Sequence, residues 1–303
     1  MFKKILIANR GEIACRIART CRRLGVAVAG VHSAADRDAL HVKAIGESVE
    51  IGAAPAAQSY LRIDAVIAAA KAVGAEAIHP GFGFLAENAA FARAVEACGL
   101  VFIGPTPEVI ERLGDKAAAK REARAAGVPI VPGSESPSED GAEIAAQVRR
   151  IGLPVMLKAA AGGGGKGMRG ITAFDGLDDA IEAAMREAKN AFGHAGLIVE
   201  KLIQRGRHIE IQIAGDGQGR VIHLHERECS LQRRHQKLIE EAPAANLSDT
   251  LRERMAADAV RLGERLKYRG VGTVEFIVGA NDYHFLEVNP RLQVEHPVTE
   301  MVT

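Results

Sequence analysis

The sequence predicts an α/β domain with a parallel sheet, followed by an α+β domain built on antiparallel strands. Two observations carry this expectation. Through the first third, short apolar runs alternate with stretches of helical period, the pattern of a parallel sheet covered by helices. From Ile151 onward the chain reads as strands joined by glycine turns. With 303 residues there is chain enough for two cores.

The elements follow in order. Lys4–Ala8 is a short apolar strand. Glu12–Leu24 places Ile13, Ile17 and Leu24 at helical spacing and stops at Gly25. Val26–Val31 is the next strand, Tyr60–Val73 a helix, Ala75–Ile78 a strand. Asn88–Cys98 is a helix closed by Gly99, and Leu100–Ile103 a strand. Residues 1–113 are therefore expected to form a Rossmann-like domain. The turn Ala8-Asn9-Arg10-Gly11-Glu12-Ile13-Ala14 has one glycine, so a nicotinamide site is not expected. A second domain is expected over 114–303, opening with a helix at Asp115–Ala126. Ser134–Gly141 reads as a polar loop.

Composition excludes several classes of function. Hydrophobic residues make up 48% and charged residues 25%, an ordinary globular balance. A net charge of +1 gives no overall attraction to nucleic acid or anionic membrane. Three Tyr, nine Phe and no Trp leave few platforms for stacking bases. No run reaches the ~18–20 apolar residues of a membrane span. At the N-terminus the apolar run covers only Ile5–Ala8, so it reads as a strand and not as a signal peptide. Cys15, Cys21, Cys98 and Cys229 lack zinc spacing and read as reduced thiols of a cytoplasmic enzyme.

Four stretches carry chemistry. Between Leu153 and Ile171, Gly162, Gly163, Gly164 and Gly165 let backbone N–H groups approach phosphates, bracketed by Lys158 and Lys166. It is not a Walker A loop, because Gly167 stands where Ser or Thr would hold magnesium. Strands on both sides suggest a flap; a plain linker is the alternative. Ala195–Leu202 is a buried strand ending in Glu200-Lys201, either a hinge offering itself to an adenine edge or a solvated strand end. Glu226–Lys237 is dense in donors, either an anion pocket or a solvated face.

The fourth stretch is Val271–Glu295, two strands around Gly279–Asp282. A three-residue loop would pair Gly279 with Tyr283 and set Glu275 opposite Glu287. Like charges so opposed destabilise a hairpin. A divalent cation between them, magnesium by its preference for carboxylate and phosphate oxygen, resolves the conflict. If the strand continues, Glu287, Asn289, Arg291, Gln293 and Glu295 share one face, with Val288, Leu292 and Val294 on the other. A solvated edge strand would show the same alternation.

Taken together, these motifs resemble the ATP-grasp core of biotin carboxylases. Gly162–Gly167, Glu200-Lys201, Glu275, Glu287-Val288-Asn289 and Arg291–Glu300 carry the resemblance. So do Ala8–Ala14, His79–Asn88, Phe102–Pro105 and Gln232–Lys237. It runs from about residue 3 to the end of the sequence.

The resemblance implies an ATP-grasp domain with a glycine-rich lid over about 131–203. It implies that Lys116, Lys158, Gly163, Gly164, Gly165, Lys166 and Gly167 hold ATP phosphates. Glu200, Lys201 and Ile203 would receive adenine, with His208, Gln232 and His235 beside the nucleotide. Glu275, Glu287 and Asn289 would ligate Mg²⁺ or Mn²⁺. Lys237, Arg291, Gln293 and the Val294 backbone would cradle bicarbonate, with Glu295 as general base and Lys237 and Arg291 as its catalytic companions. Biotin on a carrier domain would receive the carboxyl group and pass it to a carboxyltransferase subunit, and the full-length protein would be a homodimer.

Two departures qualify these expectations. Pro290 stands where many relatives carry Thr. The sequence stops at Thr303, whereas the family pattern continues into a C-terminal subdomain with an enolate-stabilising arginine and much of the dimer surface. The chain as given is therefore expected to bind nucleotide but turn over poorly. A carbamoyl-phosphate synthetase half and a silent nucleotide-binding fragment remain as alternatives, and the final carboxyl acceptor is left open.

Overall fold

A computed structural model of the chain describes every residue except 135, 161–166, 234, 235 and 281. The N-terminal part contains β1 (Lys4–Ile7), α1 (Gly11–Arg23), β2 (Ala27–His32), α2 (Leu40–Ile45), β3 (Ser48–Glu50), α3 (Ile63–Ala72), β4 (Ala77–His79), α4 (Ala89–Ala97) and β5 (Val101–Phe102). These strands form one parallel sheet in the order β3-β2-β1-β4-β5. Both faces of β1 are buried, as an apolar run in a parallel sheet requires. Ile5 and Ile7 pack with Ile13, Ile17 and Cys21 of α1, while Leu6 packs with Val66 of α3 and Phe91 of α4.

Then follow α5 (Pro107–Gly114), α6 (Lys116–Ala125), α7 (Gly141–Ile151), β6 (Val155–Ala159), β7 (Met168–Ile171), α8 (Leu177–Phe192) and β8 (Leu197–Lys201). The antiparallel sheet β7-β6-β8 lies on α7 and α8. The chain ends with β9 (Arg207–Asp216), β10 (Val221–Arg233), β11 (Gln236–Glu241), α9 (Asp249–Arg265), β12 (Arg269–Val278), β13 (Tyr283–Asn289) and α10 (His296–Glu300). Its sheet runs β11-β10-β9-β12-β13, antiparallel throughout. Side-chain caps begin several helices: Asn88 for α4, Thr106 for α5, Asp115 for α6 and Ser248 for α9.

The region after Ile151 is not strands and turns alone. Helices α8 and α9 interrupt it, and the helical period was present at Leu177, Ile181, Ala184 and Ala188, all buried on one face of α8. The hairpin also differs from expectation. Val278 pairs with Tyr283, so the connecting loop has four residues, 279–282. A bulge between Phe276–Phe285 and Glu275–Glu287 then restores the expected opposition of the two acids. Finally, β13 ends at Asn289 and the strand does not extend to Glu295. Pro290 supplies no N–H to continue a ladder, and Val294 is 63% exposed instead of sharing the buried side with Val288 and Leu292.

Candidate active site

The five-stranded sheet has two unlike faces. Ile209, Ile211, Val274, Phe276 and Phe285 pack against Met255 and Leu262 of α9. Alternation along each strand sends the residues between them to the other side. There the registers align Glu210 of β9 with Arg227 of β10 and Glu275 of β12, and Glu275 with Glu287 of β13. This polar face floors a cleft of about 840 Å³, roofed by Lys158 and Glu200 of the smaller sheet and edged by Lys116 and Glu87.

At one end of the cleft, Lys237 gathers three carboxylates. Its Nζ donates to Glu210 Oε2 at 2.5 Å, Glu275 Oε1 at 2.8 Å and Glu295 Oε1 at 2.8 Å. Burial alone would lower the Lys237 pKa, but Glu275, Glu210 and Glu295 hold it above the ordinary lysine range. Glu275 also lies 2.8 Å from His208 Nε2, and Asn289 Nδ2 donates to it at 2.6 Å. Burial would raise the Glu275 carboxyl, yet His208 and Lys237 keep it below the usual carboxylate range. The repulsion between Glu275 and Glu287 is thus answered on the Glu275 side by the protein's own cations, not solely by a metal.

The other end is left with open charges. Glu287 has no hydrogen-bond or ion-pair partner among the described residues, and its carboxyl is raised by desolvation within the cleft and by Glu275. Lys116 likewise has no ion pair among the described residues; burial lowers its pKa, and Lys158 adds to this against the pull of Glu287. Lys158 and Lys120 both pair with the buried carboxylate of Glu200. Burial would raise that carboxyl, but the two lysines bring it below its ordinary value.

A magnesium ion fits the donor set at Glu287. Two opposed carboxylates with one uncompensated and raised is the arrangement a hard cation relieves. Asn289 lies beside them, its Oδ1 accepting from Arg291 Nη2 at 3.2 Å.

The remaining expected residues divide. Arg291 lines the cleft and pairs with Glu87 at 2.6 Å; Gln293, Val294, Gln232 and His208 line it too. Lys201 turns away, its Nζ donating to the carbonyls of Gly152 and Leu153 at 2.9 and 2.8 Å, and its backbone N–H donates to Pro132 O at 2.7 Å. Ile203 does not line the cleft. Gly163, Gly164, Gly165, Lys166 and His235 lie outside the described residues. Gly167, the residue after Lys166, has φ +70°, and a Cβ there would stand 2.9 Å from the Ala159 side chain, so glycine is required.

Sequence reasoning missed Arg227, Glu210, Lys120 and Glu87. Arg227 and Glu210 are fully buried and ion-paired at 2.7 Å. Glu210 alternates with Ile209 and Ile211, a period-two pattern that marks its face but not its partners.

Comparison with known proteins gives a concordant picture. Residues 1–110 match the family model for the biotin carboxylase N-terminal domain, and 115–303 match that for the carbamoyl-phosphate synthase L chain ATP-binding domain. The chain is 51% identical over its whole length to biotin carboxylase of Pseudomonas aeruginosa, spanning 68% of that protein. It is 52% identical to the mitochondrial methylcrotonoyl-CoA carboxylase subunit alpha of Oryza sativa over 99% of this chain, and spans 41% of that subunit. The crystal structure of Campylobacter jejuni biotin carboxylase in a β,γ-ATP complex superposes with a TM-score of 0.96 at 47% identity, covering 100% of this chain and 68% of the other. The biotin carboxylase domain of Hydrogenobacter thermophilus 2-oxoglutarate carboxylase, crystallised with MgADP, ADP and bicarbonate, gives 0.94 at 48% identity, covering 100% of this chain and 67% of that one. With the fold, both family models and whole-length identity in agreement, the chain belongs to the biotin carboxylase family of ATP-grasp enzymes.

Proposed function

We propose that this chain performs the nucleotide and bicarbonate chemistry of a biotin carboxylase, the ATP-dependent carboxylation of biotin on a carrier protein. The observation that carries this is one cleft lined both by an uncompensated acid, Glu287 of β13, and by a lysine-held carboxylate, Glu295 of the segment after β13. One site takes a cation and its triphosphate; the other takes a small anion with a proton to lose.

Glu275, Glu287 and Asn289 would hold magnesium, which when bound would supply positive charge to spread that developing on the γ-phosphoryl group. Lys116, Lys158, Gly167 and the preceding glycines with Lys166 receive the phosphates. The hinge at Glu200, Lys201 and Ile203 receives adenine, with His208, Gln232 and His235 alongside. Lys237, Arg291, Gln293 and the Val294 backbone seat bicarbonate. Lys237 engages Oε1 of Glu295, and the second carboxylate oxygen is the one that removes the bicarbonate proton. A bicarbonate oxygen then attacks the γ-phosphorus and displaces ADP. The resulting carboxyphosphate breaks into CO₂ and phosphate, the phosphate takes the ureido proton of biotin, and the ureido nitrogen attacks CO₂. Flap closure excludes the water that would intercept the intermediate.

A carrier domain and a carboxyltransferase are the partners, the full-length protein is a homodimer, and the work is cytoplasmic. No helix among the described residues is long and apolar enough to cross a membrane.

The test is phosphate release from Mg-ATP. It should require bicarbonate, rise with free biotin and ignore ammonia, and Glu295→Gln should abolish it. Stimulation by ammonia and not by biotin would favour a carbamoyl-phosphate synthase-type ligase, for which the family model over 115–303 is named. Normal carboxylation by Glu295→Gln would refute the base.

A further inference from the structure

Arg227 lies beneath the site, fully buried. A guanidinium has five N–H donors and no acceptor, and here all five are placed. Nε donates to Glu210 Oε1 at 2.7 Å; Nη1 to Gln212 Oε1 at 2.9 Å and Thr299 Oγ1 at 2.7 Å. Nη2 donates to Gln293 Oε1 at 2.7 Å and Thr273 Oγ1 at 3.4 Å. It therefore cannot touch a substrate, but it touches Gln293, which lines the cleft, and Glu210, which is bound to the cleft residue Lys237. Glu210 passes its other oxygen to Lys237.

Gln293 is the more telling partner. An amide side chain can present either its oxygen or its nitrogen, and the two orientations fill the same space. Because a guanidinium only donates, the atom facing Arg227 must be Oε1. Nε2 is then turned to the other side, where it donates to Glu275 Oε1 at 3.3 Å, and its second hydrogen has no partner among the described residues.

We propose that Arg227 is a positioning residue that locks the Gln293 amide with its nitrogen toward the cleft, so that the anion seat offers donors. This rests on the assignment of that seat to bicarbonate. A flipped amide would aim an oxygen at the anion, replacing attraction by repulsion. Lysine at 227 keeps the charge opposite Glu210, but its single ammonium cannot fork to Gln293 as well.

The experiment is a titration of ¹³C-bicarbonate followed by NMR in the presence of Mg-ADP. Arg227→Lys should weaken bicarbonate binding at least tenfold while Mg-ADP affinity stays within twofold. In a Gln293→Ala background the same substitution should add less than twofold. Gln293→Glu keeps an oxygen for Arg227 and turns a second oxygen to the cleft, so it should weaken binding at least as far as Gln293→Ala. Equal weakening by Arg227→Lys in both backgrounds would reduce Arg227 to a structural role, and wild-type binding by either Arg227→Lys or Gln293→Glu would overturn the proposal. Should Arg227→Lys fail to fold, Gln293→Glu decides alone. Failure of the bicarbonate assignment looks different: Gln293→Ala would bind as wild type, or wild type would show no binding at all.

Discussion

At one end of the cleft Lys237 is surrounded by Glu210, Glu275 and Glu295, with Arg227 and His208 behind them. At the other, Glu287 and Lys116 stand without ion-pair partners among the described residues, each shifted toward its neutral form. Both ends are polar and line the same cleft, yet they handle desolvation differently. The first is charge-matched within the protein, the preorganisation that the proposed anion seat and base would use. The second leaves its imbalance for a ligand to complete, which couples affinity to the cation and phosphates that arrive together.

Substitutions at the two ends are therefore expected to have opposite signatures in the ligand-free protein. The largest effect is expected for Lys237→Met. Three carboxylates lose their shared cation, and a urea melt should show a loss of about 3 kcal/mol, as when a buried pair is broken from one side. Bicarbonate-dependent ATP cleavage should vanish with it. Glu287→Gln should do the reverse to stability. Removing one of two opposed acids should leave the ligand-free chain unchanged or about 0.5 kcal/mol more stable, while Mg-ATP affinity measured by calorimetry falls at least tenfold. A stability loss comparable to Lys237→Met would erase the distinction.

The pH dependence sharpens it further. Glu275 is depressed, so its contribution is present above the ordinary carboxylate range and is lost as pH falls through its lowered pKa. Glu287 is raised, so its contribution is present below that range and lost as pH rises through the raised pKa. Melts across the mildly acidic range should therefore show Glu287→Gln flattening the decline on the alkaline side. Binding of Mg-ATP should release a proton there in wild type and less in the variant.

The smallest effect is expected far from the cleft. Asp36 accepts from Arg10, Tyr60 and Ser33 beside the parallel sheet. Asp36→Asn should cost about 1–2 kcal/mol through weakened hydrogen bonds, with the bicarbonate requirement untouched. A changed bicarbonate requirement would tie the N-terminal network to the chemistry.

What could be read before folding was local. Period-two alternation around Glu275 and Glu287 placed both acids on one face; the expected glycine flap lies outside the described residues. The opposition of the acids was anticipated through a three-residue loop, whereas the chain reaches it by a longer loop and a compensating bulge. Nothing short-range distinguishes those two routes. Helix α8 was legible in its spacing and was passed over because glycines on either side suggested turns.

Arg227 shows where sequence runs out. In the chain it is one more charge in a donor-rich stretch, readable as part of an anion pocket or of a solvated face. Its partners come from β9, β12, the segment after β13 and α10, between 15 and 72 positions away. Hydrophobic period by itself determined the strands of the parallel sheet, their covering helices and the shared face of Glu275 and Glu287, because these depend on neighbours along the chain. Only the tertiary structure decided which acids are compensated and which way Gln293 points, because charge matching and amide orientation depend on groups that meet across the sheet.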